Sequence, residues 1–330
     1  MPKNVAEEYA ELTHYTSAAG LSGIISSDCL WASHAAFLND AQELTHFFDE
    51  RLYKLAGHEI RSYAEYLASD PENAKIIEAD GGLGPLVEKE SRAWVAGLRT
   101  ATLTLNNPFV FSMSGTHDPL VQANGLLSQW RGYGVDGGYA ITFDTKDLDA
   151  LLKVEGSTYM YQHAYWGDVH YYGINDVQPS SAEVEEAEAT VRKGIALLVR
   201  GGTAEETEGF YQAISSLSCL FKHWGFREER EARIVAIPTD RELADKERTL
   251  GDTRIPKTYK AFPRSGLLVP YIELFYRSSS NEIPKSLPIK KVIVGPHPEA
   301  AVRARSLERL LVAYGYKAEV VCSTIPYIGR

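Results

Sequence analysis

Asn106-Asn107-Pro108-Phe109-Val110-Phe111-Ser112-Met113-Ser114 is the stretch on which the fold class turns. Two turn-forming asparagines and a proline close one texture, and a run rich in aromatic and β-branched side chains opens another that reads as a strand. Upstream the chain is mostly helical. Phe47, Phe48, Leu52 and Leu55 recur at helical spacing behind Phe37-Leu38-Asn39-Asp40, a turn whose Asn or Asp caps the helix, and residues 58–79 continue it. Pro85 falls in the first turn of another helix that reaches about Leu103 through Leu86, Trp94, Val95 and Leu98. Near the start, Leu12-Thr13-His14-Tyr15 reads as a strand, Ser17 as the cap of a helix bearing Leu21, Ile24 and Ile25, and Cys29 to Ser33 as a second strand. Downstream, Gly138 to Phe143 is a strand before a helix capped by Thr145. Further strands are expected near 163–172, 230–237, 267–276, 289–295 and 318–323. Acidic helices from Glu183 to Val199 and from Glu205 to Phe221 separate them, and a last helix covers about 299–313. Strands and helices mix without the βαβ alternation of a doubly wound sheet, so the class is α+β, with mixed, mostly antiparallel sheets flanked by helices.

The chain's 330 residues, 44% hydrophobic and 24% charged, can bury a large core, which excludes disorder as the main state. No Pro/Ser-rich linker, charge block or low-complexity tract marks a cut. The expectation is one domain over 1–330, with helical insertions at about 57–104 and about 180–222. A net charge of −10 argues against broad, sequence-independent binding of nucleic acid, which needs clustered Lys and Arg. Cys29, Cys219 and Cys322 are far apart, with no disulfide framework and no zinc spacing, and fit a reducing compartment. No signal-like apolar region or membrane-length run occurs, so no membrane partner and a cytoplasmic location are expected.

Gly132-Tyr133-Gly134-Val135-Asp136-Gly137 matches GxGxxG letter for letter. A dinucleotide fingerprint must follow a strand and open a helix, whereas here a helix precedes and a strand follows, so the glycines read as a turn. More informative is an ordered set of short blocks. They are Leu12 to Ser17; Gly23-Ile24-Ile25; Leu30-Trp31-Ala32-Ser33; Asn39-Asp40 with Glu43; Phe111-Ser112; Asp118; Trp130 with Tyr133; and Gly138 ahead of Ile141-Thr142-Phe143. After these come Glu229-Arg230-Glu231-Ala232-Arg233, Ile289 to Pro296, and Ser323 to Tyr327. In order and spacing they resemble the DUF2971 family over nearly the whole chain, with Ala232 where that family more usually has an aromatic.

A His-x-Thr strand, a helix, a second strand and a distant Glu are similar in turn to the ADP-ribosyltransferase fold. That resemblance implies an enzyme that binds NAD as substrate and modifies a protein or nucleic acid, as a toxin or anti-phage effector would. It implies His14 and Thr16 at the adenosine or nicotinamide side, Tyr15, Trp31 or Tyr133 against the nicotinamide ring, and Glu229 or Glu231 at the ribose hydroxyl. Ser33, Ser112 and Trp130 join the nucleotide-binding set as members of the family-like blocks. Cleavage of the ribose–nicotinamide bond passes through an oxocarbenium-like state that a carboxylate stabilises, which calls for no metal.

Glu229, Glu231 and Arg233 alternate, so a strand through them would put all three on one face, with Arg233 holding a carboxylate or a substrate phosphate. Each residue also has a plainer role: His14 as a satisfied core histidine, the aromatic residues as packing, and Asn39, Asp40 and Glu43 as cap and first-turn acid. Two other functions compete. Asp40, Glu43, Asp118, Glu229 and Glu231 would serve a metal-dependent phosphodiesterase with Arg131 or Arg233 on the phosphate. The aromatic-rich centre would equally suit a non-catalytic module that senses a nucleotide or peptide ligand.

Overall fold

The computed structural model describes residues 5–38, 42–105, 107–134, 137–172, 182–203, 207, 209–264, 266–275 and 286–327. The chain opens with α1 (Val5–Glu8), β1 (Glu11–Thr16), α2 (Ala18–Ser27) and β2 (Leu30–His34). A helical stretch follows: α3 (Gln42–His46), a π-helical run at Phe47–Leu52, α4 (Tyr53–Ala68), α5 (Pro71–Ala79) and α6 (Leu83–Leu105). Next come β3 (Phe109–Gly115), α7 (Pro119–Asn124), α8 (Leu127–Tyr133), β4 (Tyr139–Asp144), α9 (Thr145–Thr158), β5 (Tyr159–Asp168) and β6 (His170–Tyr172). The second half holds α10 (Ala182–Leu198), α11 (Phe210–Leu220), β7 (Phe221–His223), β8 (Glu231–Pro238), α12 (Arg241–Thr249) and β9 (Ile255–Pro256). Last are β10 (Lys260–Arg264), β11 (Leu267–Leu274), β12 (Ile289–Val294), α13 (Ala300–Ala313) and β13 (Glu319–Cys322). The α+β class holds, with a mixed and mostly antiparallel sheet flanked by helices. No helix among the described residues is long and apolar enough to cross a membrane.

The chain divides into two compact units. The smaller takes its residues from His34–Pro108 and His170–Trp224, and so contains both expected helical insertions. Its own core gathers Phe47, Phe48, Leu52, Ile60, Val95, Val191, Ile195, Phe210 and Ile214 from amphipathic helices. Arg51 clamps Glu188 there through two hydrogen bonds of 2.6 Å.

The larger unit takes its residues from Lys3–Ser33, Phe109–Val169 and Gly225–Arg330 and contains the main sheet. Its strand order is β10-β11-β2-β3-β1-β4-β12-β13, with β8 bonded to both β3 and β5. β8 occupies one edge of β3 from Phe109 to Ser114, so β1 and β2 share the other edge. β1 holds β3 only at Leu12↔Gly115 and Thr13↔Ser114 and then parts from it.

One face of this sheet is the apolar core: Leu12, Leu30, Ala32, Phe111, Met113, Ile141, Phe143, Ala232, Ile234 and Ile272 pack there with Leu21, Ile24 and Ile25 of α2. Side chains alternate along strands, so the residues between these lie on the reverse face. Capping follows ordinary chemistry, with one correction. Ser17 accepts from Gly20 N as expected, but Asp144, not Thr145, caps α9 by accepting from Lys146 N and Asp147 N. A carboxylate is the stronger cap, and it sits one residue earlier. Asn39, Asp40 and the Glu43 side chain, expected as cap and first-turn acid, lie outside the described residues.

Candidate functional site

β1 divides its side chains between the two faces. His14 lies on the core side, its ring stacked on Phe111 at 4.3 Å between centroids, and its Nδ1 is 2.9 Å from the Ser112 carbonyl oxygen. A carbonyl only accepts, so Nδ1 carries the proton and Nε2 is the acceptor nitrogen of the neutral ring. Burial pushes the His14 pKa down to about 4, against a smaller upward pull from the Ser112 carbonyl. The bond falls where β1 leaves β3, so the imidazole satisfies a carbonyl turned toward the parting strands. Thr16 is on the same side, its hydroxyl close to Gly20 of α2.

Thr13 and Tyr15 occupy the reverse face. The Tyr15 hydroxyl accepts from Leu126 N at 2.8 Å, and its ring meets Trp130 edge-on at 5.0 Å. Burial raises its pKa to about 12. Trp130 is fully buried, donates its indole N–H to Asn124 O at 3.0 Å, and packs with Tyr15, Ala140 and Ile293. Both aromatic residues are packing elements. Tyr133, at the end of α8, is exposed. On β2, Trp31 and Ser33 also lie on the reverse face, opposite Glu273 and Tyr271 of β11, and Trp31 packs against Tyr271 at 4.9 Å. Its indole N–H donates to Ser27 Oγ at 3.3 Å.

The most polar part of the reverse face is a square made by β3 and β8. Ser112 stands opposite Arg233 and Ser114 opposite Glu231, while Thr13 faces Ser114 from the other side. Thr13 and Thr142 share a hydroxyl–hydroxyl bond of 3.1 Å beside it. Glu231 holds Arg233 in a two-pronged pair, Nε to Oε1 and Nη2 to Oε2, both 2.9 Å. Both are buried, at 7% and 2% exposure, within a strand buried at every position. Ser112 and Ser114 are half-buried, and neither hydroxyl has a hydrogen-bond partner among the described residues. A bidentate guanidinium–carboxylate pair fixes both planes and offsets part of the cost of burying each charge.

Glu229 is not part of this square. It ends a 3-10 turn at Trp224–Glu229, and Arg230 takes a left-handed φ of 41°, so the strand begins only at Glu231. The expected alternation of Glu229, Glu231 and Arg233 on one strand is therefore corrected to Glu231 and Arg233 alone. Alternation also sets His14 and Glu231 on opposite faces of the sheet. Of the expected residues, the reverse face gathers Tyr15, Trp31, Ser33, Ser112, Trp130, Glu231 and Arg233, and leaves His14 and Thr16 on the core side. Asp118 is the N-cap of α7, accepting from Leu120 N at 2.8 Å. Sequence reasoning missed Thr13, Ser114 and Thr142. Ser114 had a signal, a serine two positions from Ser112 within an otherwise apolar strand.

A second buried ion cluster also escaped the sequence. Lys257 Nζ is 2.5 Å from Glu155 Oε1, donates to Glu273 O at 2.6 Å, and sits 3.5 Å from the centre of the Tyr159 ring. Tyr161 donates to the same carboxylate oxygen and Phe275 N to the other. Burial lowers the Lys257 pKa against the opposing pull of Glu155, and burial with the Glu155 charge raises Tyr161 well above its usual value. Every charge there has a partner, as a structural cluster requires.

Residues 129–234 match the family model described as Protein of unknown function (DUF2971). No curated protein and no solved structure matches the chain. The matched segment takes in Trp130, Tyr133, Glu229, Glu231 and Arg233, and it runs through residues of both units. The β1 to β3 part of the polar face lies N-terminal to it. Gly132 lies within α8, Gly134 directly follows it, and Gly137 and Gly138, with φ of 94° and 53°, precede β4, so these glycines follow a helix and lead into a strand and do not form a strand-to-helix phosphate loop.

Proposed function

We propose that the larger unit binds NAD over the reverse face of its sheet and acts as an ADP-ribosyltransferase-like enzyme, with Glu231 as the carboxylate that works on the ribose. The observation that carries this is the polar square: a carboxylate, a guanidinium and two uncommitted hydroxyls set into a sheet whose other face carries the apolar core. Buried polar groups cost free energy, and their concentration at one point of a sheet favours a ligand role over a packing role. NAD supplies the ribose–nicotinamide bond. Glu231 would place negative charge beside the ribose as that bond breaks, nicotinamide leaving with the electron pair while water or a nucleophile of the target bonds to the ribose carbon and gives up its proton. Arg233 pairs with Glu231, and Ser114, directly across the ladder, is placed to bond the same carboxylate or a ribose hydroxyl. His14 acts from the opposite side as a strut that keeps β1 and β3 in position.

Thermal melting with NAD, ATP and Mg²⁺ added separately tests the binding half. NAD at about 100 times its Kd should stabilise the fold by roughly 2.7 kcal/mol, a rise of a few degrees in Tm. A melting point unmoved by millimolar NAD would end the proposal.

A further inference from the structure

We infer that Arg233, with the hydroxyls of Ser112 and Ser114, is the docking point for a phosphate-bearing group, and that this group enters by exchanging with Glu231. The inference rests on the proposed function only in taking the polar square as the ligand site. It adds a ligand chemistry and a trigger. Arg233 presents Nε and Nη2 as one edge of a planar fork, and Glu231 occupies that edge with both oxygens. The same edge is the one a phosphate would grip, because guanidinium binds carboxylate and phosphate with the same two-pronged geometry. Beside it stand Ser112, opposite Arg233 on the ladder, and Ser114, two residues along on the same face; each has a hydroxyl with no partner among the described residues. Those two donors suit an anion's oxygens better than they suit Glu231, whose oxygens are already engaged. They are also the half-exposed members of the square, so they mark the side from which a ligand approaches.

The charge arithmetic makes this a switch. While paired, Glu231 is neutralised by Arg233 and is a poor stabiliser of developing positive charge. A bound phosphate takes over the edge of the guanidinium that Glu231 holds and releases the carboxylate from that pair. Binding of the anionic part of a ligand would thereby arm the residue that acts on its other part.

The test is competition, read with inorganic pyrophosphate by calorimetry at constant ionic strength. Because Glu231 and the anion compete for one guanidinium, Glu231→Gln should bind pyrophosphate about tenfold tighter than the natural chain. Ser112→Ala combined with Ser114→Ala should bind it about tenfold more weakly. An unchanged or weakened affinity in Glu231→Gln overturns the exchange, and so does the absence of pyrophosphate binding to the natural chain at millimolar concentration. Should Glu231→Gln fail to fold, the serine double variant decides alone, with unaltered affinity counting against the inference. Pyrophosphate contains no ribose, so these results stand apart from the NAD proposal. NAD binding with no pyrophosphate effect sinks only the exchange, and the converse sinks only the NAD proposal.

Discussion

His14 is the residue whose chemistry is most completely defined by its surroundings, and its consequence is a dependence of stability on pH. Its pKa falls from the usual 6.5 to about 4 on folding. Between those values the unfolded chain binds a proton that the folded chain refuses, so stability is full above about pH 6.5 and is lost as pH falls toward 4. The span corresponds to roughly 3 kcal/mol at pH 4. His34, His163 and His170 are shifted down by burial in the same direction and add to the slope. Urea unfolding at pH 7 and pH 4 should show a His14→Gln chain losing about 3 kcal/mol less than the natural one over that interval. Equal losses would mean that His14 does not titrate as its burial requires. At pH 7 the same substitution keeps a donor for the Ser112 carbonyl, whereas His14→Ala leaves it unmet at a cost of about 1–3 kcal/mol.

Among the elements, two clusters hold pieces of the larger unit that are far apart in sequence. Asn124, at the end of α7, accepts at its backbone oxygen from Trp130 Nε1 and Ser323 Oγ, and at Oδ1 from Thr324 N and Thr324 Oγ1. It therefore ties α8 and the segment after β13 to one point. Asn124→Ala removes the Oδ1 bonds and the Nδ2 bond to Leu120 O, so stability should fall by about 1 kcal/mol while the segment after Cys322 becomes markedly more sensitive to protease. An unchanged cleavage rate would show that Asn124 does not anchor that segment. The Glu155–Lys257 cluster is the more deeply buried. Glu155→Gln strands the Lys257 ammonium and should cost roughly 3–5 kcal/mol, while Glu155→Leu with Lys257→Met together should cost clearly less. Chemical denaturation of the three chains measures this, and a double variant as unstable as Glu155→Gln would mean that the charges contribute more than their desolvation costs.

For the whole molecule, the parts that could be read in the sequence were those governed by local periodicity. The texture change at Asn106 to Phe109 marks the passage from α6 to β3, and the helix through Pro85 begins at Leu83. The β8 strand was legible from Ile234-Val235, but its start was not. A left-handed Arg230 ends the preceding turn, and nothing in Glu229-Arg230-Glu231 announces that conformation. Two cores were invisible because the smaller unit is assembled from 34–108 and 170–224 with no compositional break at either seam. Which face each candidate residue takes was not legible for a simple reason. Strand parity cannot be compared between strands until their register is known, and register places His14 with Phe111 but Glu231 with Ser114. Lys257 and Glu155, over a hundred residues apart, carried no local signal at all.

The central claim is that the square on β3 and β8 is an NAD site in which Glu231 acts. Glu231→Gln preserves the side chain's shape and removes the charge, so the decisive measurement is the rate of nicotinamide release from NAD by the two chains, compared at saturating NAD and matched folded fraction. Nicotinamide release by the natural chain, and a rate about 10²–10³-fold lower in the variant with NAD affinity not weakened, is the predicted result. Equal rates in the two chains, or no release from the natural one, would contradict it.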